Sequence, residues 1–271
     1  MPKSTSINKL IEKQYASLSP NARNIANFIQ QNPLAVITMS VADIAAASKT
    51  SKATVSRFFR QLGYESHQDA KSTMLQKRDK GFPVAQAGNK NDSFSQEIAN
   101  LESSFQGLSD NEIDDVARKI SSAKRVIIFG YRNSYPMAIN FRQQLKQLRE
   151  NVFLLPQPGQ TISEDVVGFT NDDFIILLGF RRRPRIFPKL VEQLNGKTTL
   201  LLADPSGQVF NQQVSHLFVC QLGQSQPFDS YAAPMAVISL ICNRVFKYCA
   251  GEGQQRAAAI SDLYNEFDEL S

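Results

Sequence analysis

Short amphipathic helices are predicted along the first 80 residues of the chain. In each of them apolar residues recur three or four positions apart, and residues suited to helix ends lie on either side. The signals are Ile7, Leu10 and Ile11 on one helical face, Ser19-Pro20 and Asn32-Pro33 around a second helix, Ser40 before a third, Ser51 and Leu62-Gly63 around a fourth, and Ser66 to about Lys80 for a fifth. This part of the chain is therefore predicted to be all-helical.

Beyond residue 93, apolar runs alternate with helical stretches. The runs are 125–129, 152–155, 174–178, 198–202 and 216–219, and helices are predicted at about 94–106, 110–122, 134–148, 231–250 and 253–269. Strands that are apolar on both faces are typical of a parallel sheet covered by helices on both sides. The pattern predicts an all-α N-terminal domain followed by a doubly wound, parallel-sheet α/β domain.

A polar segment without periodicity separates the two patterns. From Gly81-Phe82-Pro83 to Asp92 the residues are mostly small or polar and are interrupted by Gly and Pro, which is typical of a linker. We therefore predict a first domain at 1–80, a linker at 81–93 and a second domain at 94–271.

Composition excludes several classes of protein. With 42% hydrophobic and 20% charged residues among 271, the chain can bury two cores and is not predicted to be disordered. No apolar run reaches the roughly 18 to 20 residues of a membrane-spanning helix, and the N-terminus lacks an apolar signal core, so a cytoplasmic protein without membrane contact is expected. Three cysteines and two histidines favour neither a disulfide framework nor a metal site, and no cofactor is predicted, although carboxylate chemistry stays open.

Positive charge is concentrated in the first third of the chain. Residues 1–80 hold 12 Lys and Arg against 5 Asp and Glu, whereas residues 81–271 hold 18 against 20. A compact basic unit beside a near-neutral one favours a module that binds a polyanion, although a solvated charged surface would give the same balance.

Two predicted helices meet at a short turn between residues 41 and 63, the arrangement of a helix-turn-helix. On the second helix Val55, Phe58, Phe59 and Leu62 share one face, and no acidic residue lies on this helix. Its polar face can donate hydrogen bonds to phosphates and base edges. The predicted DNA contacts are Lys49, Ser51, Lys52, Thr54, Ser56, Arg57 and Arg60.

This segment resembles the N-terminal helix-turn-helix of the RpiR (MurR/RpiR) family of bacterial transcriptional regulators. The resemblance rests on Ile44-Ala45, Ser51, Ala53-Thr54-Val55, Arg57-Phe58 and Leu62-Gly63, and it extends back through Leu18-Ser19-Pro20 to Asn32-Pro33. Where the family usually has glycine and valine in the turn, this chain has Lys49-Thr50. The resemblance therefore places a lysine where positive φ is preferred, at a modest strain cost, and leaves Lys49 able to contact a phosphate.

A small-residue turn follows the first predicted strand. Gly130-Tyr131-Arg132-Asn133-Ser134 leads into a helix, whose free N–H groups and dipole attract an anion. The region from about Phe94 onward resembles a SIS domain, the sugar-isomerase fold that serves as effector sensor in RpiR-type regulators. In that family Ser134 matches a serine that contacts the effector phosphate; its alternative role is a simple helix N-cap. Arg132, Asn133 and Ser134 are the predicted effector contacts of this turn.

The second SIS motif is altered. Where most SIS domains have Ser-x-Ser-Gly-x-Thr after the strand 174–178, this chain has Gly179-Phe180-Arg181-Arg182-Arg183-Pro184. Guanidinium groups can grip a phosphate or a carboxylate, so Arg181, Arg182 and Arg183 are predicted effector contacts, together with Ser230 before the helix that starts at Tyr231. The alternative is a solvated basic loop, or pairing with acids such as Glu164 and Asp165.

Other residues carry weaker signals. Asp204 follows the fourth predicted strand, at the edge where ligands of open α/β sheets bind, and could equally be a helix cap. His216 is expected to be structural, and Cys242 and Cys249 are expected in the core.

The resemblance implies a DNA-binding transcriptional regulator, not an enzyme, whose SIS domain senses a phosphosugar or sugar acid. A homodimer, or a tetramer, on a palindromic operator is further expected. A repressor is expected as well, although the sequence leaves repression and activation both open. One alternative is a sugar-phosphate isomerase with a helical extension, for which Glu164 is the one acid near the predicted cleft. Another is a protein-binding adaptor that has lost its ligand.

Overall fold

The computed structural model describes residues 7–79, 90–223 and 228–269. The chain divides into two compact units, Met1–Gln96 with Gly223–Asp229 and Glu97–Leu222 with Ser230–Ser271. Residues 81–89 of the predicted linker lie outside the described residues. Residues 90–93 are helical instead, because a helix begins at Lys90 with Asp92 favourably placed in its first turn.

The first unit is built from the five predicted helices and one further short helix, at Ala35–Thr38. They are α1 (Ile7–Gln14), α2 (Pro20–Gln31), α3 (Ala35–Thr38), α4 (Val41–Ala47), α5 (Lys52–Gln61) and α6 (His67–Asp79), with a 3₁₀ turn at Tyr15–Ser17. The predicted N-caps are confirmed, since the hydroxyls of Ser19, Ser40 and Ser51 each accept a hydrogen bond from a backbone N–H of the following helix. One apolar cluster, centred on Ile25, Ile44 and Phe59, joins these helices.

The second unit is a five-stranded parallel sheet in the order β2-β1-β3-β4-β5. Its elements are α7 (Lys90–Gln106, which enters from the first unit), α8 (Asp110–Ser122), β1 (Arg125–Gly130), α9 (Ser134–Leu148), β2 (Val152–Leu155), α10 (Ser163–Val166), β3 (Asp173–Leu178), α11 (Phe187–Gln193), β4 (Thr198–Ala203), a 3₁₀ segment (Pro205–Gln213), β5 (His216–Val219), α12 (Ala232–Tyr248) and α13 (Ala250–Glu266). The predicted α/β class and parallel sheet are confirmed.

The sheet has an apolar core on each face, as expected for a doubly wound fold. Along β1, Val126 and Ile128 face α8, α9 and α12, whereas Ile127 and Phe129 face α11 and the 3₁₀ segment. The chain passes from β1 to β2 on one side and then to β3 on the other. The crevice between the carboxyl ends of β1 and β3 is therefore the topological switch point, where folds of this strand order bind ligands.

The cysteines lie in or beside the apolar cores. Cys220 and Cys242 are buried, and burial raises the pKa of each thiol to about 12. Cys249 is half-buried, with its Sγ 3.0 Å from the Ser121 hydroxyl. Both buried thiols therefore remain protonated and unreactive at neutral pH.

The described ranges contain neither a membrane-spanning helix nor a cluster of metal-ligating side chains. No helix among those residues is long and apolar enough to cross a membrane. Nor do they include a group of three or more His, Cys, Asp or Glu side chains placed to hold a metal ion.

Candidate functional site

The α4–α5 pair forms the predicted helix-turn-helix. In the turn between the two helices Lys49 has a φ of 52°, the left-handed conformation that glycine adopts without strain. The neighbouring Ser48 stabilises the turn, because its buried hydroxyl donates to the Ile44 carbonyl at 2.6 Å and lies 2.9 Å from the Thr50 hydroxyl. The expected positive φ at Lys49 is confirmed, and its side chain is exposed.

Helix α5 has one apolar and one cationic face. Val55, Phe58 and Phe59 are at most 1% exposed and anchor the helix in the core. On the opposite side the helix carries no carboxylate to oppose its positive charge. Its exposed cations are Lys52, Arg57 and Arg60, and Ser56 is half-buried beside them. The helix can thus present donors and positive charge to a phosphate backbone while its other face stays packed.

Two predicted DNA contacts have a structural role in the same helix. The Ser51 hydroxyl accepts from the Thr54 backbone N–H at 3.2 Å, and the two hydroxyls lie 2.8 Å apart. Arg57 makes a longer hydrogen bond, in which its Nε donates to the Ala53 carbonyl at 3.4 Å. The cap at Ser51 therefore orients the first turn of α5, from which Lys52 projects.

A tight turn connects β1 to α9 at the switch point. A Cβ on Gly130 would lie 2.7 Å from the Cβ of Ala138 and 2.7 Å from the Ser134 carbonyl oxygen, so only glycine allows α9 to approach the strand this closely. The turn closes with the Ser134 N–H donating to the Tyr131 carbonyl at 3.0 Å. Arg132 occupies a left-handed conformation with φ 54°.

Ser134 is the first residue of α9, so the alternative that it is the N-cap is wrong. Asn133 holds the cap position and its side chain makes no capping hydrogen bond, because the turn places it in a helical backbone conformation. Ser134 is only 6% exposed. The N–H groups of Ser134 and Tyr135 donate to carbonyls of the turn, and Pro136 has no N–H. The prediction of free N–H groups at these positions is therefore wrong, and the start of α9 attracts an anion through its dipole.

The three arginines after β3 differ in environment. Arg182 is exposed and left-handed, with φ 69°, and Arg181 is half-buried. Arg183 is drawn inward. Its Nη2 donates to the Asp204 carboxylate at 2.9 Å and its Nη1 to the Ser206 hydroxyl at 2.9 Å.

Aromatic rings complete the surroundings of Arg183. Its guanidinium carbon lies 5.8 Å from the ring centre of Phe187 and 5.6 Å from that of Phe210. Burial lowers the pKa of this arginine, and the charge of Asp204 opposes the shift. The positive charge of Arg183 is therefore engaged by groups of its own domain, namely the Asp204 carboxylate and the two rings.

The alternative pairing of this loop with Glu164 is not observed for Arg183. The Glu164 carboxylate instead accepts from the Thr161 hydroxyl at 2.7 Å, a hydrogen bond that lowers its pKa. Asp204 is both partner and cap, since it also accepts from the Ser206 N–H at 3.3 Å. The prediction of a cap at Asp204 is confirmed, and the carboxylate that neutralises Arg183 lies on the next strand end.

The Ser230 hydroxyl makes two hydrogen bonds within the SIS domain. Its hydroxyl donates to Glu97 at 2.8 Å and accepts from the Ala232 N–H at 3.2 Å. It thus joins α7 to the start of α12. His216 is structural as expected, with Nε2 3.3 Å from Asp115 and 3.1 Å from the Lys119 ammonium, and burial lowers its pKa.

Family models match both units of the chain. Residues 5–80 match the helix-turn-helix domain of the rpiR family, and residues 119–244 match the SIS domain. The chain belongs to the RpiR family. Its helix-turn-helix and its parallel sheet are the two modules of that family, in the expected order.

Curated relatives of this RpiR-family chain are transcriptional regulators by description. An uncharacterized HTH-type transcriptional regulator of Providencia stuartii is 32% identical over 146 residues, which is 50% of this chain and 51% of the relative. HexR of Pseudomonas aeruginosa is 28% identical over 178 residues, or 62% of each protein. The matched stretch thus spans about half the length of the first relative and under two thirds of the second.

Solved structures share the fold. The sugar isomerase domain of an RpiR transcription factor from Sphaerobacter thermophilus superposes with a TM-score of 0.56 at 21% identity, covering 65% of this chain and 96% of that one. NanR of Vibrio vulnificus, solved in complex with ManNAc-6P, gives a TM-score of 0.57 at 14% identity, covering 96% of this chain and 97% of that one. At these identities the likeness shows the fold alone.

Proposed function

We propose that this RpiR-family protein is a transcriptional regulator that binds operator DNA through α5 and senses a small anionic metabolite through its SIS domain. The observation that carries the proposal is the cationic face of α5, held outward by the buried Val55, Phe58 and Phe59. Reading DNA takes place in the cytoplasm of a bacterial cell, which is where we place the protein.

The effector is proposed to bind at the switch point between β1 and β3. The positive end of the α9 dipole and the exposed side chains of Arg132 and Arg182 supply positive charge at neighbouring strand ends. NanR, which shares the fold, binds a phosphorylated sugar derivative. A phosphosugar or sugar acid is therefore the effector class that we propose, with Ser134 as a hydroxyl contact.

Regulation follows from linkage between the two sites. An effector changes operator affinity only to the extent that it binds one arrangement of the DNA-binding modules more tightly than another. We propose a homodimer, in which two α5 helices contact a palindrome with half-sites roughly 10 base pairs, or a multiple of that, apart. Such a dimer represses by occupying the operator and is released or retained by the effector.

An isomerase would need an acid/base pair beside the substrate. Glu164 lies on the four-residue helix α10, and its hydrogen bond from Thr161 favours the ionised carboxylate. Neither the position of Glu164 nor its hydrogen bond provides the second acid or base that such a pair requires. We therefore propose sensing and not turnover, and turnover of a sugar phosphate that is abolished by Glu164→Gln would reverse this conclusion.

Replacing Lys52 or Arg57 by alanine is expected to weaken operator binding about tenfold or more, because each removes an exposed cation from the α5 face. Loss of a phosphate contact should also reduce, by about 1, the slope of the logarithm of the binding constant against the logarithm of the salt concentration. Fluorescence anisotropy, with an operator selected from random duplexes by the full chain, measures both quantities.

Two further variants make this experiment decisive. Lys49→Gly removes a cation and relieves the left-handed backbone, so it should lower affinity without lowering the melting temperature. Lys189→Ala removes an exposed cation from α11 in the SIS domain and should change nothing. Unchanged affinity in the Lys52, Arg57 and Lys49 variants would remove α5 from the DNA interface.

A panel of phosphosugars and sugar acids is expected to contain a ligand that raises the melting temperature of the full chain. At 100 times its dissociation constant a ligand adds about 2.7 kcal/mol of stability, or roughly 5 to 10 °C for a domain of this size. Arg182→Ala should reduce the shift, whereas Arg185→Ala, another exposed cation of the same loop, should not. A panel without any shift would favour the ligand-free adaptor.

A further inference from the structure

Among the buried hydrogen-bond donors without a partner in the described part of the chain are two of the SIS domain. They are the hydroxyl of Tyr131, directly after β1, and the Nε of Arg183, in the loop after β3. The two strands are hydrogen-bonded neighbours, with Gly130 in register with Leu178, so both donors lie on segments that leave the sheet at the switch point. Buried polar groups are nearly always satisfied, and an exception at a ligand edge marks a group that a ligand can satisfy.

Both donors lie on the same face of the sheet, and it is not the face of α9. Tyr131 continues the alternation of Ile127 and Phe129 and packs against their apolar cluster. Arg183 lies over Phe187 and Phe210 of the same cluster. Helix α9 packs on the other face, through Met137 and Ala138. The carboxyl edge thus carries an anion-attracting helix start on one face and two unused donors on the other.

The two donors on the face opposite α9 carry little net charge. Asp204 neutralises the guanidinium of Arg183, and Ser206 accepts from its Nη1, so Nε is the guanidinium nitrogen that makes no hydrogen bond. Burial raises the pKa of Tyr131 above its usual value of 10, and the phenol therefore keeps its proton. Neutral donors of this kind suit uncharged oxygens and give no advantage to a second anionic group.

We propose that Tyr131 and the Nε–H of Arg183 form a subsite for uncharged hydroxyl or carbonyl oxygens of the effector, with Tyr131 as the residue that determines specificity. The proposal rests on the proposed effector site and extends it to the sugar portion of the ligand. An anionic group alone engages the α9 face, whereas a polyhydroxylated anion engages both faces. A site built around a ligand hydroxyl discriminates against molecules that lack it.

Tyr131→Phe tests the subsite, because it removes one oxygen and retains the ring packing. The probes are glucose 6-phosphate, fructose 6-phosphate, 6-phosphogluconate and inorganic phosphate, each titrated against the full chain by thermal unfolding and calorimetry. We expect the unliganded variant to melt no lower than the wild type, and about 2 °C higher if the lost hydroxyl was unsatisfied. We expect the affinity for the responding sugar phosphate to fall about tenfold, with that for inorganic phosphate unchanged.

The outcomes separate this proposal from the effector site itself. Tyr64→Phe, at a largely buried tyrosine of the helical unit, is the matched control and should leave every affinity unchanged. If Tyr131→Phe binds the sugar phosphate as the wild type does, or if inorganic phosphate binds as tightly as any sugar phosphate, the subsite is overturned while the anion site stands. If the wild type responds to no probe, the effector proposal fails first and the subsite with it.

Discussion

Replacing Arg183 by alanine should lower the free energy of unfolding of the SIS domain by about 3 kcal/mol. The Asp204 side chain, only 10% exposed, would keep its charge without its cation, and the rings of Phe187 and Phe210 would lose the guanidinium that lies over them. Urea unfolding of the full chain, followed through the transition of the SIS domain, measures the change.

A double variant identifies the cause of this loss. Arg183→Met with Asp204→Asn removes both charges together and retains a side-chain oxygen that can accept from the Ser206 N–H. Because the cost of the single variant arises from an uncompensated buried charge, the double variant should recover most of the lost stability. Equal destabilisation in the two variants would show that Arg183 acts through packing and not through its pairing with Asp204.

Prediction of the fold from the sequence succeeded where apolar runs were continuous. The run 152–155 has the same bounds as β2, and the run 174–178 lies within one residue of the bounds of β3. The four-residue helices α3 and α10 had no prediction of their own, because one turn is too short to show a helical period. The start of α7 was predicted four residues late, since small polar residues are common both in linkers and in first turns.

Prediction of the site depended on whether its determinants were local. The resemblance to the RpiR family predicts the positive φ of Lys49, because that family has glycine at this position of the turn, and the structure confirms it. The partner of Arg183 is Asp204, 21 residues away. Its choice over Glu164 depends on which strand ends are neighbours in the sheet, and a local pattern does not contain that information. The unsatisfied hydroxyl of Tyr131 depends on packing atom by atom.

A second large effect is expected at the opposite edge of the sheet, where Asp173 begins β3. Its side chain is fully buried and accepts from Arg125 at 2.6 and 2.7 Å and from the Thr170 N–H at 2.7 Å. The hydrogen bonds of Arg125 are the main cause that lowers the pKa of Asp173 from 3.8 to about 2. This carboxylate is therefore far more stable ionised in the folded protein than in the unfolded chain.

The shift fixes the sign of a pH dependence. A depressed pKa adds stability that is fully present above the unfolded value near 4 and is lost as the pH falls toward 2. Nearly two pKa units correspond to about 2 kcal/mol. Asp173→Asn should therefore destabilise the SIS domain by about 2 kcal/mol at pH 7, and the difference from the wild type should shrink between pH 4 and pH 2.

The neighbouring Asp172 provides the control for this prediction, because its side chain is exposed. Urea midpoints of the wild type, Asp173→Asn and Asp172→Asn at pH 7, 4 and 2.5 give the comparison. Asp172→Asn should follow the wild type at every pH. If Asp173→Asn instead lost the same stability at all three values, the contribution of Asp173 would be its hydrogen-bond geometry and not its ionisation, and Arg125 would not hold β3 through charge.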